Sequence, residues 1–239
     1  MFHTLFYEPL YNLVVVMLQI VPLHDIGAAI IAVTLIVKTL LFPLNMSALR
    51  SQHIMKRLEG DMAKIKEESK KDPREASKKM MELYKKNNVN PFASIVTILI
   101  QLPVVIALYF VVSKGLYADP NSLYSFISFP ETLHTKAFGI LDVTQKSLVI
   151  ALLTGISAYI LARRQTTTMV TEKPAHEETF QDHFMKSMKV QLLYVLPVII
   201  GVSAYLFPAA LGLYWFTGNV ISIFQDMYMK KQLLKIKHI

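Results

Sequence analysis

A lysine stands inside an apolar stretch that is long enough to cross a bilayer. Residues 26–44 read IGAAIIAVTLIVKTLLFPL. At about 1.5 Å per helical residue they would span roughly 28 Å, close to the ~30 Å hydrocarbon core. A charge as deep as Lys38 costs about 2.5–3.5 kcal/mol on insertion scales, and Thr34 lies one turn earlier on the same helical face. Two interpretations are open: Lys38 extends its ammonium to the nearer interface, or it belongs to a polar, water-filled site within the membrane.

Other polar side chains occur in two later apolar segments. Gln101 interrupts the stretch that follows Asn90, at a depth similar to that of Lys38. The last apolar segment contains LGLYWFTGN, which adds Tyr214, Trp215 and Asn219. Trp215 by itself is typical of an interface anchor. Two polar groups at one depth on neighbouring helices favour the intramembrane polar site.

The chemistry of common enzyme sites is absent from the sequence. With 0 cysteines the chain has no disulfide, thiolate metal site or cysteine nucleophile. The group His176, Glu177, Glu178 and His183 lacks the HExxH spacing of a zinc site and is typical of a solvated loop. We find no nucleophile elbow, glycine-rich phosphate loop or paired intramembrane carboxylates. The sequence therefore predicts no enzyme, no cofactor and no metal site.

The composition indicates a membrane protein of the all-α class. Of the 239 residues, 53% are hydrophobic and 18% are charged, and the mean hydropathy is +0.40. Soluble domains carry about 25% charged residues. Apolar segments long enough for helices predict a core over residues 25–239, preceded by an N-terminal interfacial helix in residues 1–24, for which a full span is the alternative. The five predicted spans cover about 26–44, 92–113, 147–162, 188–207 and 209–229.

The distribution of lysine and arginine predicts the orientation. Residues 46–90 form a predicted helical hairpin with twelve Lys or Arg, the loop 163–189 has five, and the basic tail 230–239 has four. The connections on the opposite side have three. The positive-inside rule therefore places the hairpin and the C-terminus in the cytoplasm and the N-terminus outside. The net charge of +8 follows this topology, and we expect contact with anionic headgroups or ribosomal RNA and no DNA binding.

Four segments together resemble the YidC/Oxa1/Alb3 family of membrane protein insertases. They are TLIVKTLLFPL, LYKKNNVNPF, IQLPVVIALYF and FPAALGLYWFTGNVISIFQ. The resemblance covers nearly the whole chain. It implies a polytopic bundle of five transmembrane helices around a hydrophilic groove, which is open to the cytoplasm and closed to the outside, with a cytoplasmic helical hairpin. It also implies the bacterial inner membrane as the location.

The resemblance assigns roles to particular residues. The basic groove residue of the family, usually arginine, corresponds to Lys38, the groove threonine to Thr34 and the groove glutamine to Gln101. The substrate-contacting aromatic residue corresponds to Trp215. We add Tyr214 and Asn219 to the expected groove because they belong to the same motif. Lysine in place of arginine is a departure, since a compact ammonium replaces a planar donor fork. A second departure is that neither a lipid-attachment cysteine nor a large outer domain precedes the core, which is typical of a minimal member.

The implied function is insertion of nascent membrane proteins without nucleotide hydrolysis, by a membrane chaperone that is not an enzyme. Expected partners are nascent membrane proteins, the lipid bilayer, the ribosome and the Sec translocon. A passive assembly scaffold and a small channel or transporter are the alternatives. A transporter would predict internal repeats and a pathway open on both sides, neither of which the sequence suggests.

Overall fold

The computed structural model of the chain describes residues 1–69, 72–114, 119–166 and 190–236, which are mostly helical. The helices are α1 (Glu8–Ile20), α2 (Ile26–Leu40), α3 (Phe42–Arg57), α4 (Glu59–Glu68), α5 (Pro73–Lys86), α6 (Ala93–Lys114), α7 (Leu148–Thr166), α8 (Leu196–Leu206) and α9 (Ala209–Ile236). Single π-helical turns over His3–Tyr7 and Gln191–Val195 lead into α1 and α8. Two short strands, β1 (Lys136–Ala137) and β2 (Leu141–Asp142), pair in antiparallel register. The structure agrees with the predicted all-α class.

The first predicted span bends before its expected end. α2 stops at Leu40, and α3 leaves it at an angle of 64°. Pro43 explains the position of the bend. In the first turn of α3 its missing N–H needs no partner, whereas in a continuous helix it would leave the carbonyl of Thr39 without a donor. The expectation of one helix over residues 26–44 is therefore corrected to a helix of 15 residues followed by a new one.

The remaining helix bounds lie close to the expected ones, with two extensions. α6 and α7 each begin one residue later than the first residue of the corresponding predicted span, 92–113 or 147–162. α7 also continues beyond the predicted end to Thr166. α9 continues to Ile236, so most of the predicted basic tail is an extension of the last helix. Residues 167–189 and 237–239 lie outside the described residues. The first range contains His176 with its acidic neighbours and the first two residues of the predicted fourth span, 188–189.

The core lies where α1, α2, α6 and α9 meet. Tyr11, Val15 and Leu18 of α1 are fully buried in one cluster with Val33 of α2 and Leu108 of α6. These positions recur at helical spacing, so each helix turns one apolar stripe inward. α1 therefore packs into the bundle along one face. Whether it also spans a membrane stays a prediction.

The segment between α6 and α7 closes over the N-terminal ends of two core helices. The Asp25 side chain caps α2 by accepting from Ala28 N–H at 2.9 Å, and it also accepts from Phe138 N–H beside β1. The first amides of α9, at Ala209 and Ala210, donate to carbonyls of residues 145 and 143, each at 2.8 Å. Asp25 thus pairs an amide that the start of α2 leaves without a partner in the helix, and residues 143 and 145 of the connecting segment do the same for α9.

Large apolar side chains cover the outer faces of α7 and α8. Exposed side chains on these faces include Leu148, Val149, Leu152, Ile156, Val198, Ile199 and Val202. A continuous exposed surface of this kind is typical of contact with lipid. By length and composition one described helix, over Leu148–Gln165, suffices to cross a membrane, and the bent pair α2–α3 counts as a second if it is one span. Shorter apolar helices cover Leu99–Ser113 and Gln191–Leu206.

Candidate functional site

Lys38, in the last turn of α2, lies against α9. Its Nζ atom donates to Ser222 Oγ at 3.2 Å, and Ser222 Oγ in turn donates to the carbonyl of Gly218 at 2.8 Å. A Cβ atom on Gly218 would lie 3.1 Å from Lys38 Cε. The lysine stem therefore occupies space that a side chain at position 218 would fill, and its ammonium is half-buried between two helices.

Two further polar pairs join α9 to its neighbours along the same face. Gln101 of α6 donates from Nε2 to the hydroxyl of Tyr214, which is buried. Asn45 of α3 donates to Gln225 Oε1 at 3.4 Å. Because Tyr214, Ser222 and Gln225 follow one another at helical spacing, the pairs form a row. We call this row the polar seam, and it consists of Gln101–Tyr214, Lys38–Ser222 and Asn45–Gln225.

Thr34 lies beside the polar seam without joining it. Its side chain is fully buried, and its hydroxyl donates to the carbonyl of Ile30 in its own helix at 2.6 Å. Its methyl group faces Gly218. Thr34 therefore serves the contact between α2 and α9 here, and the expected role of its hydroxyl toward a substrate stays a prediction.

Asn219 and Trp215 of α9 make contacts outside the polar seam. Asn219 Nδ2 donates to Ser157 Oγ of α7 at 3.1 Å, so this amide is bonded to α7. Trp215 is half-buried and packs against the core cluster. The structure thus groups Lys38, Gln101 and Tyr214 along one row and separates Asn219 from them.

A buried carboxylate joins three helices near the other end of α9. Asp226 accepts from Arg164 Nε of α7 at 2.9 Å, and its second oxygen lies 2.9 Å from His53 Nε2 of α3. The Asp226 side chain is 4% exposed. We call His53, Arg164 and Asp226 the three-helix clasp. Arg57 adds a bond from Nη2 to the carbonyl of Leu233 at 3.2 Å. The clasp fixes the start of the predicted hairpin to α7 and α9.

The predicted hairpin consists of α4, α5 and most of α3. Asp72 caps α5 by accepting from the amides of Arg74 and Glu75, at 2.9 and 3.2 Å. Tyr84 of α5 contacts Met62 of α4, with 3.9 Å between hydroxyl and sulfur. Burial at this contact raises the pKa of the Tyr84 phenol.

The exposed face of the hairpin carries a local ion pair. Lys79 Nζ lies 2.9 Å from Glu75 Oε1, one turn earlier on α5. The hydrogen bond to Glu75 raises the pKa of Lys79 above its usual value. The hairpin therefore presents charged side chains on the face away from the contact between its helices.

Ser222, Asn45, Gln225 and the clasp were not among the residues expected from sequence. Ser222 carries a detectable signal, because it lies four residues after Gly218 and eight after Tyr214, on one face of a helix. Hydroxyl and amide side chains in helices are too common for this spacing alone to distinguish them. Which helix faces Lys38 depends on packing between segments that are far apart in the chain.

Comparison with known proteins identifies the family. The family model of the 60Kd inner membrane protein matches residues 17–236. The chain belongs to the 60Kd inner membrane protein family. A relative from Oceanobacillus iheyensis, named membrane protein insertase YidC, is 32% identical over 217 residues, which cover 88% of this chain and 77% of that protein.

Two longer relatives carry the same name. The protein from Shewanella woodyi is 31% identical over 227 residues, or 95% of this chain and 37% of its own length. The protein from Aeromonas salmonicida is 32% identical over 231 residues, or 95% of this chain and 36% of its own length. The chain thus spans little more than a third of these two relatives.

Membership of the 60Kd inner membrane protein family confirms the resemblance drawn from the four sequence segments. The names of the relatives agree with the predicted class, a membrane insertase and not an enzyme. Such a protein resides in a membrane, in keeping with the exposed apolar faces of α7 and α8.

Proposed function

We propose that this chain inserts nascent membrane proteins into the bilayer along a polar groove that contains the polar seam. The observation that carries the proposal is the contact of Lys38 with Ser222, at 3.2 Å, which holds an amine between two helices of a largely apolar bundle. Placing a charge in that position costs free energy, so its presence favours a functional role. Attraction of a polar substrate segment is such a role.

The proposed topology has five spans, formed by α2, α6, α7, the Gln191–Leu206 helix and α9. The hairpin, residues 163–189 and the C-terminus lie in the cytoplasm, and the N-terminus lies outside. The excess of lysine and arginine on the first set of segments supports this orientation. In it, Lys38 lies in the cytoplasmic half of the first span, where a substrate arriving from the cytoplasm would reach it.

In the proposed mechanism, electrostatic attraction acts on the polar flank of the substrate and the hydrophobic effect acts on its apolar segment. The polar flank of a substrate enters the groove, where Lys38 attracts its acidic residues. An ion pair 4 Å apart gains at most about 4 kcal/mol at an effective dielectric constant near 20. This matches the ~2.5–3.5 kcal/mol cost of one aspartate at the centre of a membrane. One well-placed ammonium therefore offsets roughly one acidic residue.

The apolar part of the substrate leaves the groove sideways. It passes along α7 and α9 into lipid, with Trp215 as a contact, and the transfer of apolar surface out of water drives this movement. The flank then crosses only the remaining outer half of the membrane. The energy of apolar transfer makes a nucleotide unnecessary for this step.

The basic hairpin is the proposed first contact for partners. Its lysines and arginines suit ribosomal RNA or anionic headgroups, and we include the ribosome and the Sec translocon among the partners. The three-helix clasp would hold the start of the hairpin next to the groove, so that a segment received by the hairpin meets Lys38 next.

Reconstitution in liposomes tests the proposed function. Purified wild type, Lys38→Ala and Lys38→Arg are compared for protease protection of a single-span substrate with an acidic N-terminal tail. We expect insertion by wild type and Lys38→Arg and strongly reduced insertion by Lys38→Ala. Equal insertion by all three would contradict the role of the Lys38 charge. No insertion by any of them would favour a passive scaffold.

Single cysteines test the proposed topology. The chain has 0 native cysteines, so labelling with a membrane-impermeant maleimide has no background. In inverted membrane vesicles we expect Ser77→Cys, on the hairpin, to react and Thr144→Cys, near the start of α7, to stay unlabelled. The opposite pattern would overturn the orientation.

A further inference from the structure

Ser222 makes two hydrogen bonds that determine what its hydroxyl can do. It accepts from Lys38 Nζ at 3.2 Å and donates its one proton to the carbonyl of Gly218 at 2.8 Å. While the second bond stands, the hydroxyl has no proton to give to a substrate. Its remaining capacity is that of an acceptor, and the donor next to it is the Lys38 ammonium.

Gly218 completes the surroundings of Lys38. A Cβ atom at this position would approach Lys38 Cε to 3.1 Å, Lys38 Nζ to 3.7 Å and Thr34 Cγ2 to 4.0 Å. The first of these distances is tighter than an ordinary van der Waals contact. The missing side chain therefore lets the lysine stem lie flat against α9, which brings its ammonium to Ser222.

We propose that Ser222 and Gly218 position the Lys38 ammonium for substrate, as a pair of residues that act through Lys38 and not on the substrate directly. The proposal rests on the proposed function of Lys38 and adds which residues fix the position of its ammonium group. A lysine has a long, flexible stem and three N–H donors. One donor bonded to Ser222 holds the amine on α9, and the other two remain for water or a substrate carboxylate.

The positioning role has a consequence for substrate selection. An amine held in one place attracts an acidic tail more strongly than an amine that samples several positions along the groove. Loss of the Ser222 acceptor should therefore weaken the preference for acidic tails specifically. A merely structural role of Ser222 would affect acidic and neutral tails alike.

The test is a ratio of insertion rates in proteoliposomes. Two single-span substrates that differ only in their N-terminal tail, acidic or neutral, are compared in wild type, Ser222→Ala and Ser222→Thr. We expect the acidic-to-neutral ratio to fall about 3- to 10-fold in Ser222→Ala, the size expected from one lost hydrogen bond of typical net strength. Ser222→Thr retains a hydroxyl and should restore most of the ratio. Ser203→Ala on α8 is the matched control.

A double variant tests whether Ser222 acts through Lys38. In the Lys38→Ala background, Ser222→Ala should change the ratio no further, because the group it positions is gone. Gly218→Ala should also lower the acidic-to-neutral ratio. An unchanged melting temperature of each variant excludes misfolding as the cause. An additive effect of Ser222→Ala in the double variant, or equal slowing of both tails, would overturn the proposal.

The same measurements separate failure of this inference from failure of the proposed function. If Lys38→Ala inserts the acidic tail at the wild-type rate, the proposed role of Lys38 is wrong and the positioning role falls with it. If Lys38→Ala is impaired while Ser222→Ala keeps the wild-type ratio, only the positioning role is overturned.

Discussion

Asp226 of α9 accepts a hydrogen bond from Arg164 of α7, with 2.9 Å between Oδ2 and Nε. His53 of α3 lies 2.9 Å from the other carboxylate oxygen. The carboxylate is buried and the arginine side chain is 33% exposed, so only the acidic partner of the pair is excluded from solvent. Three segments far apart in sequence thus meet at one carboxylate.

Removal of that charge should destabilise the protein. Asp226→Asn keeps the shape of the side chain but leaves Arg164 and His53 beside a neutral amide, and we expect a loss of about 1–3 kcal/mol. At roughly 2–4 °C per kcal/mol for a chain of this size, the melting temperature should fall by about 2–12 °C.

Thermal unfolding of the purified protein in detergent checks this, with Lys79→Ala as the control. Lys79 forms an exposed pair with Glu75 on one helix, and loss of such a pair should leave the melting temperature unchanged. Equal melting temperatures for Asp226→Asn and wild type would show that the three-helix clasp contributes nothing to stability.

Asp25 should hold α2 and the segment before α7 together. Asp25→Ala removes the acceptor for Ala28 N–H, at 2.9 Å, and for Phe138 N–H, and loss of an N-cap costs about 1–2 kcal/mol. Hydrogen exchange should therefore speed up at both amides. Asp25→Asn keeps an acceptor and should exchange more slowly than Asp25→Ala. Unchanged exchange at Phe138 in Asp25→Ala would contradict the tether.

Gly212 should tolerate no side chain. A Cβ atom there would lie 2.6 Å from Ile150 Cγ2 across the contact of α9 with α7, so Gly212→Ala should cost about 1–3 kcal/mol through overpacking. Gly60→Ala is the matched control, since nothing lies within 4 Å of its Cβ position. Alanine in that helix should be neutral or stabilise by up to about 1 kcal/mol.

Chemical denaturation of both glycine variants measures the difference. Combination with Ile150→Ala should relieve part of the Gly212→Ala cost, as expected for two residues in contact. Strictly additive costs of Gly212→Ala and Ile150→Ala would rule out the clash as the cause.

Local patterns predicted much of the helical framework. Asp72, whose side chain caps α5, and Pro91, between α5 and α6, mark chain breaks by their local chemistry. The hairpin, the second span and the third span fall close to the expected bounds. The 64° bend after Leu40 was missed because the apolar run continues through Leu44, so the average hydrophobicity of the segment does not change at the bend. Apolar character predicts burial or lipid contact but does not report helix direction.

The candidate site was predicted in part. Lys38 and Gln101 stand out because a charge or an amide in an apolar run is rare, and both join α9 in the structure. The amide of Asn219 is directed to Ser157 because α7 packs on that face of α9, which no local pattern encodes. Asp226 was missed for a similar reason: its meaning comes from His53 and Arg164, which lie 173 and 62 residues away.

A charge exchange between Lys38 and the substrate tests the central claim most directly. Wild type and Lys38→Glu, each reconstituted in liposomes, are given matched single-span substrates with acidic or basic N-terminal tails, and the protease-protected fraction is measured over time. If the charge at position 38 acts on the tail, wild type should prefer the acidic tail and Lys38→Glu should prefer the basic one. The same preference in both proteins would contradict an electrostatic role of Lys38 in insertion.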